Sequence, residues 1–124
     1  NDSKIQVSPC ERLEDSLLVT GFAYDRHTRL DNNYAQFCWF THRTRGVRRG
    51  GAAAVDLAFV AAGRQDGYWE RGLAPWDLAA GVALVELAGG TIADTAVRSS
   101  ISAAAAWWRL VRHCIRALLT CWPR

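Results

Sequence analysis

The hydrophobic and polar positions in the first third of the chain predict two short strands and a loop. Polar and apolar residues alternate over residues 1–8, which predicts a strand that leads into a turn at Pro9. An apolar run at residues 17–21, closed by glycine, predicts a short buried strand. Residues 24–31 are charged, so we expect them to form a loop.

The next apolar positions follow a helical spacing. Residues 31–41 fit a helix that has Asp31 as its N-cap and one buried face. The basic stretch at residues 43–49 follows this helix and predicts a solvated loop. The buried face of the helix would carry Tyr34, Phe37, Cys38 and Phe40.

Two more helices and two more strands are predicted before residue 94. Residues 52–62 are mostly small and apolar, with Gly63 just beyond them, as is typical of a helix that packs closely against a neighbour. Pro75 occupies a favoured first helical position, and the helix continues through residues 76–87. Helices that alternate with short strands indicate an α/β layered fold, here with an incomplete sheet. The strands are predicted at residues 66–70 and 91–93.

Composition limits the chain to one globular domain. It has 124 residues, of which 50% are hydrophobic and 22% are charged, whereas disordered chains are usually much less apolar. It contains no Met and opens in a polar stretch without a signal-like apolar region, so we expect a processed or partial chain. Its four cysteines show no metal-finger spacing, which favours a reduced, cytoplasmic setting.

Charge divides the chain near Asp94. Residues 1–94 contain 10 basic and 12 acidic residues, whereas residues 95–124 contain five arginines and no acid. A basic patch confined to a tail is weak support for nucleic-acid binding, so we expect no nucleic-acid partner. No apolar run reaches the roughly 18 uncharged residues that suggest a membrane span.

Two predicted helix starts are candidate anion sites. Gly50 and Gly51 precede one of them and Pro75 opens the other, and the N–H groups of a first helical turn carry a partial positive charge that suits phosphate. Asp77 lies in the first turn of the second helix, where a carboxylate is favoured and can bind a hard cation such as Mg²⁺. From spacing alone, the commoner interpretation is that Asp77 caps its helix and that the glycines form turns.

Three segments of the chain occur in an informative order. Residues 50–57 read Gly-Gly-Ala-Ala-Ala-Val-Asp-Leu, residues 67–73 read Gly-Tyr-Trp-Glu-Arg-Gly-Leu, and residues 75–81 read Pro-Trp-Asp-Leu-Ala-Ala-Gly. The last segment, together with Glu-Leu-Ala-Gly-Gly at residues 86–90, is similar to the second signature of the inositol monophosphatase family. The resemblance covers residues 1–94 and implies the C-terminal portion of that family's layered αβαβα sugar-phosphatase fold.

The resemblance implies a Mg²⁺-dependent phosphomonoesterase, in which a metal-activated water attacks the phosphate in line. Asp77 matches the family's C-terminal metal-binding aspartate, which also touches the substrate. Glu70 matches the acid that hydrogen-bonds the polyol hydroxyls, and Arg48 is a candidate contact to the substrate or to a second subunit. The segment that holds inositol phosphate through its backbone matches Gly51, Ala52 and Ala53, with Ala52 where the family often has Ser or Thr.

The chain also departs from the family pattern. The family's first signature, Pro-Ile-Asp-Gly-Thr, supplies two metal-binding aspartates and is absent, as are an upstream metal-binding glutamate and a threonine that helps to activate the water. One carboxylate cannot hold the metal cluster, because each Mg²⁺ needs several oxygen ligands. We therefore expect the chain alone to lack phosphatase activity, and we assign no catalytic residue beyond the metal ligand Asp77.

The resemblance stops after Asp94. If suitable codons are chosen for residues 99–109, the same nucleotides read in a frame shifted by one base give Phe-Asp-Leu-Ser-Ser-Gly-Arg-Leu-Val-Ala. The family has a Phe-Asp-Leu-x-Ser-Gly-Arg segment at this place. Our hypothesis is that residues 95–124 are a divergent, frame-shifted basic tail. The alternative takes the tail as genuine, with a basic amphipathic helix over residues 109–119 on a membrane surface. We disfavour that membrane contact.

Two hypotheses of function follow. In the first, the chain belongs to a Mg²⁺-dependent enzyme that hydrolyses inositol monophosphate, or a similar small-molecule phosphate monoester, and that is a homodimer when full length. In the second, it is a catalytically dead remnant that binds a partner or a membrane surface through its tail. Under the first hypothesis, the segments present in the chain do not show which phosphate is the substrate. Inositol monophosphate, histidinol phosphate, fructose bisphosphate and a phosphonucleotide all fit them.

Overall fold

The computed structural model describes residues 2–92 in full and residues 93–94 and 109–111 by their backbone. In this part of the chain, three parallel strands form a sheet in which strand β1 (Leu17–Thr20) is central. Strand β2 (Gly46–Arg48) pairs with one side of β1, and strand β3 (Gly67–Trp69) pairs with the other. The helices are α1 (Tyr34–Thr41), α2 (Ala53–Ala61) and α3 (Pro75–Leu87).

The central strand is buried on both faces. Leu18 and Val19 are at most 1% exposed, as expected for a short apolar strand within a parallel sheet. In the register of the sheet, Val19 lies beside Tyr68 and Thr20 lies beside Trp69. Because successive residues of a strand point to opposite faces, Tyr68 and Trp69 enter two different packing layers.

The helices lie on opposite faces of the sheet. Val19 and Tyr68 pack in one hydrophobic cluster with Leu57 of α2, whereas Trp69 packs on Phe40 of α1 with ring centroids 4.6 Å apart. The chain moves from β1 to β2 in one direction along the sheet and from β2 to β3 in the other. Since parallel crossovers are right-handed, this reversal requires the two connecting helices to cover opposite faces. The α/β layered prediction is thereby confirmed.

Helices α2 and α3 pack against each other at a glycine. A Cβ atom built on Gly81 would lie only 2.6 Å from the Cβ and Cδ1 atoms of Leu57, and Leu57 is fully buried. The close approach explains why a residue without a side chain stands in the middle of a helix, where glycine otherwise costs about 1 kcal/mol relative to alanine.

Most predicted elements are confirmed within one or two residues. Helix α2 has Ala52 as its N-cap and Ala62 as its C-cap, and α3 begins at Pro75. The predicted strands at residues 17–21 and 66–70 correspond to β1 and β3.

Among the described residues, no helix is long and apolar enough to cross a membrane.

The strand predicted for residues 1–8 is wrong for the described residues 2–8, which are not paired with the sheet. The backbone N–H of Val7 instead donates to the carbonyl of Ala88, at a distance of 3.1 Å. Val7 also packs in the cluster that contains Leu57. The alternation of side chains therefore reflects packing of one apolar residue against the end of α3, not a strand ladder.

The start of α1 also differs from the prediction. The helix begins at Tyr34, with Asn33 as its N-cap in a left-handed conformation (φ 72°). Asp31 does not cap the helix, and its carboxylate accepts a hydrogen bond from Arg29. Of the four residues that we assigned to a buried face, Phe40 is the buried one. Tyr34 and Phe37 pack on Phe22, with centroids 5.0 and 5.7 Å apart, and Cys38 is exposed.

Strand β2 was not expected, because residues 43–49 carry charges and no alternation. Its pairing with β1, with Gly46 opposite Leu17 and Arg48 opposite Val19, is a contact distant in sequence. Parallel pairing with the buried strand β1 thus outweighs the weak strand propensity of this charged segment.

Strand β4 (Ile92–Asp94) pairs antiparallel with strand β5 (Arg109–Val111), and β5 lies beside β3. The helix that the alternative interpretation places over residues 109–119 is therefore wrong at Arg109–Val111. The rest of that helix lies outside the described residues. The domain boundary at residue 94 and the frame shift stay predictions.

We predict that Gly81→Val lowers the free energy of unfolding by about 1–3 kcal/mol, because its side chain would enter the space of Leu57. The matched control is Ala80→Val, at an exposed position of the same helix, which should cost at most about 0.7 kcal/mol from helix propensity. Urea unfolding followed by circular dichroism measures both. Equal losses would contradict the close approach.

Candidate functional site

A cleft of about 190 Å³ opens at the carboxyl edge of the parallel sheet. The connections that follow β1, β2 and β3 all contribute to it. In open α/β sheets the carboxyl ends of the strands are where ligands bind, near the point where the strand order reverses. The contributions are residues 21–24 and Arg26 after β1, Arg49 and residues 51–53 after β2, and residues 70–73 and Asp77 after β3.

Five of the six predicted site residues line this cleft, and the sixth does not. Gly51, Ala52, Ala53, Glu70 and Asp77 come together there. Arg48 is the last residue of β2 and is exposed, and its Nη1 donates to the carbonyl of Val47 at 3.2 Å. The lining arginine of this connection is Arg49, which sequence reasoning missed.

The start of α2 lines the cleft with Gly51, Ala52 and Ala53. The N-cap residue Ala52 makes no side-chain capping hydrogen bond, and Gly51 before it has a φ of +93°. The first N–H groups of a helix have no acceptor within the helix. An uncapped helix start beside a cleft is suited to an anion with several oxygen atoms.

Asp77 caps the helix to which it belongs and also lines the cleft. Its Oδ2 accepts a hydrogen bond from the backbone N–H of Ala74 at 3.1 Å, so the capping interpretation of Asp77 is confirmed. Among the described residues, no group of three or more His, Cys, Asp or Glu side chains could hold a metal ion. Asp77 and its described neighbours therefore do not form a complete Mg²⁺ site.

Glu70 is held on both sides within the cleft. The Tyr68 hydroxyl donates a hydrogen bond to Oε2 of Glu70. On the other side, a Cβ atom at Gly21 would lie 2.1 Å from both carboxylate oxygens, so the carboxylate occupies the space that a side chain at position 21 would fill. Burial raises the pKa of Glu70 above its ordinary value, and the hydrogen bond from Tyr68 opposes that effect.

Asp56 is a buried carboxylate beneath the β2–α2 connection. It is 4% exposed, and a Cβ atom at Gly50 would lie 2.0 Å from its Oδ1. Burial raises the pKa of Asp56, while the charge of Arg49 lowers it less strongly. The charge of Arg49, which lines the cleft, also lowers the pKa of Glu70.

A buried amide joins two of the three connections. Asn33 is 2% exposed, and its Nδ2 donates to Thr20 Oγ1 at 2.9 Å and to the carbonyl of Gly21 at 2.8 Å. Its Oδ1 accepts from Nε1 of Trp69 at 2.6 Å. Sequence reasoning missed Asn33, although asparagine tolerates the left-handed conformation better than most residues do.

An ion pair joins the same two connections. The Arg71 side chain is 6% exposed and forms a pair with the carboxylate of Asp25. Sequence reasoning missed this pair too. The available signal was an arginine directly after the buried strand β3, because a charge at such a place needs a partner.

A helix N-terminus that lines a cleft at the carboxyl edge of a parallel sheet is typical of α/β proteins that bind phosphorylated ligands. The chain belongs to the inositol monophosphatase family, whose sequence model matches residues 1–118. It is 62% identical over 92 residues to an inositol-1-monophosphatase of Synechocystis sp., an alignment that covers 74% of this chain and 32% of that protein. It is 50% identical over 92 residues to the chloroplastic phosphatase IMPL1 of Arabidopsis thaliana, with 74% of this chain and 25% of that protein covered.

A solved structure confirms the fold. The structure of an inositol monophosphatase from Anabaena (Nostoc) sp. superposes with a TM-score of 0.83 at 50% sequence identity, covering 97% of this chain and 51% of that one. The expected sugar-phosphatase type of α/β fold is therefore confirmed. The chain spans about a third or less of the two curated relatives and half of the solved structure.

We predict that Asp56→Asn raises the free energy of unfolding at pH 7. The folded-state pKa of Asp56 is raised by burial, so its ionisation costs stability as the pH rises from the ordinary aspartate value of about 3.9 through the folded pKa. The advantage of the variant should therefore shrink to nothing below about pH 4. Urea unfolding across this pH range measures it.

The control for this variant is Asp15→Asn, which removes an exposed carboxylate. It should not reproduce the pH-dependent gain. A constant difference between the Asp56 variant and the unchanged chain at all pH values would contradict the assignment of burial as the cause.

Proposed function

We propose that the cleft binds inositol monophosphate, or a similar polyol phosphate, as part of a Mg²⁺-dependent phosphomonoesterase. The observation that carries the proposal is the convergence of an uncapped helix start and two half-buried acidic side chains, Glu70 and Asp77, in one cleft of about 190 Å³. Membership of the inositol monophosphatase family supports a phosphatase of this type.

In this proposal, the phosphate lies on the first turn of α2. The backbone N–H groups of Gly51, Ala52 and Ala53 donate to its oxygens, and the helix dipole favours its negative charge. Because Ala52 has no hydroxyl, the contact depends on the backbone alone. Arg49 and Arg26, which line the cleft from two different connections, add positive charge on either side.

Glu70 would select the polyol. An ionised carboxylate accepts hydrogen bonds from hydroxyl groups, and the hydrogen bond from Tyr68 together with the contact at Gly21 fixes its orientation. A side chain that needs no rearrangement to receive its ligand loses little conformational entropy on binding.

Asp77 would supply one oxygen to the metal and touch the substrate. When bound, Mg²⁺ would lower the pKa of a water molecule and stabilise the charge on the phosphate. The described residues do not complete such a site, so hydrolysis requires ligands from other residues. We propose Arg48, exposed at the end of β2, as a contact to the second subunit of a homodimer.

We predict that Glu70→Gln weakens binding of inositol 1-phosphate by roughly 10–100-fold, because hydrogen bonds to a charged group contribute about 1.5–3 kcal/mol each. Binding of inorganic phosphate should change little, since phosphate alone does not reach Glu70 in the proposed pose. Titration by NMR measures both dissociation constants. Glu86→Gln, on the exposed face of α3, is the matched control.

Equal weakening of both ligands would contradict the assignment of Glu70 to the polyol. If neither ligand binds the unchanged chain, the proposed function itself fails.

We also predict that the 124-residue chain alone releases no phosphate from inositol 1-phosphate in the presence of Mg²⁺. The reason is that its described carboxylates cannot surround the ion. A phosphate-release assay beside a full-length family member tests this. Turnover at a rate close to that of the full-length protein would overturn it.

A further inference from the structure

The connection between β1 and α1, residues 21–33, forms one wall of the cleft. Five of its residues line the cavity, and they are Gly21, Phe22, Ala23, Tyr24 and Arg26. Two large apolar side chains of this connection, Tyr24 and Leu30, are fully exposed. Hydrophobic burial therefore does not explain why the middle of the wall lies where it does.

Three consecutive residues at the end of β3 hold this wall. Trp69 binds Asn33 at its far end, and the carboxylate of Glu70 lies against Gly21 at its near end. Arg71 holds the middle through Asp25, with Nη2 donating to Oδ1 and Nη1 donating to Oδ2 at 3.4 Å.

The Arg71 contact is asymmetric in burial. The arginine side chain is 6% exposed, whereas those of Asp25 and Asp31 are 48% and 52% exposed. The Nε atom of Arg71 is buried without a hydrogen-bond acceptor among the described residues, and Oδ2 of Asp31 lies 3.8 Å from it. The buried partner, Arg71, follows strand β3 of the sheet, and the exposed partner, Asp25, belongs to the wall.

A pair of this kind contributes little to global stability. Desolvation of the arginine offsets much of its attraction to the carboxylates, and an apolar replacement is often neutral. The planar guanidinium, however, fixes the distance and orientation of a carboxylate through two parallel hydrogen bonds. We therefore expect the pair to fix the position of the wall and to change the free energy of unfolding little.

We propose that Arg71 is a positioning residue that clamps the wall through Asp25, and that the clamp sets the width of the cleft where the polyol binds. The second part of the proposal rests on the proposed function, whereas the first part does not. Arg29 lies beside the same acids, with Nε 2.9 Å from Asp31 and 3.8 Å from Asp25. Because Arg29 is half exposed and belongs to the wall, it joins the two acids to each other without attaching them to the sheet.

The clamp itself is tested by hydrogen exchange of the 124-residue chain. In Arg71→Met and in Asp25→Asn, amides of residues 23–29 should exchange about tenfold faster, because local opening no longer breaks the charged pair. In Arg71→Met, which leaves only the half-exposed Asp25 without its partner, amides of β1 and the urea midpoint should stay as in the unchanged chain. Arg71→Lys should give an intermediate rate, since lysine keeps the charge and loses the two parallel hydrogen bonds.

The double variant Arg71→Met with Asp25→Asn decides whether the two residues act on each other. Its exchange rate should equal that of either single variant, because the second change removes nothing further. Arg64→Met removes an exposed arginine that stacks on Phe59 and should leave the wall unchanged. Unchanged exchange of residues 23–29 in both single variants would overturn the clamp. Faster exchange throughout the chain in Arg71→Met would overturn it too, because it would show a general role in stability.

The effect on the cleft is tested with two probes. Arg71→Met should weaken binding of inositol 1-phosphate by about tenfold and leave binding of inorganic phosphate within about twofold, because the hydrogen bonds to phosphate come from α2 and the wall adds to them only the charge of Arg26. Arg71→Lys should recover part of the loss. Equal affinities of the unchanged chain and the variant for inositol 1-phosphate would overturn the role in the cleft. If the unchanged chain binds no inositol 1-phosphate, the proposed function fails, and the exchange rates still decide whether the clamp exists.

Discussion

The parallel pairing of β1 with a strand on each side is the constraint on which the rest of the structure depends. Since all three strands point the same way, their carboxyl ends meet at one edge and their three connections must converge there. The uncapped start of α2, the carboxylate of Glu70 and the acid at the start of α3 share a cleft for this reason. Each comes from a different part of the chain, and none needs a specialised loop to reach the others.

Strand β3 connects this edge to both packing layers. Tyr68 packs in the core with α2 and α3, and its hydroxyl reaches Glu70. Trp69 packs in the opposite layer on Phe40, and its indole N–H reaches Asn33. Both aromatic residues therefore contribute apolar area to a core and a polar atom to the rim of the cleft. A shift of either aromatic ring within its packing layer therefore moves a polar atom at the rim of the cleft.

The sequence predicts those parts that local signals determine. Helices α2 and α3 have helix-forming segments with glycine or proline at their ends, and β1 is a continuous apolar run. The five residues that the cleft brings together were predicted from the family resemblance. What escaped prediction depends on partners distant in sequence. Strand β2 exists because it pairs with β1, and Asn33 begins α1 because Trp69, 36 residues later, binds its side chain. The difference between Arg48 and Arg49 is set by where β2 ends, because Arg48 is its last residue and Arg49 begins the connection that lines the cleft.

The amide of Asn33 also bears on the chemical ageing of the protein. Its nitrogen donates to two oxygens and its oxygen accepts from an indole N–H, so the side chain can be held in one orientation only. Deamidation to aspartate would replace the donor by a second acceptor facing Thr20 Oγ1 and the carbonyl of Gly21. One spontaneous hydrolysis, with a mass change of a single unit, would thus remove the two hydrogen bonds that hold the far end of the wall to its near end. The same three hydrogen bonds restrain the side chain from reaching its backbone neighbour, so the folded chain slows the reaction that would damage it.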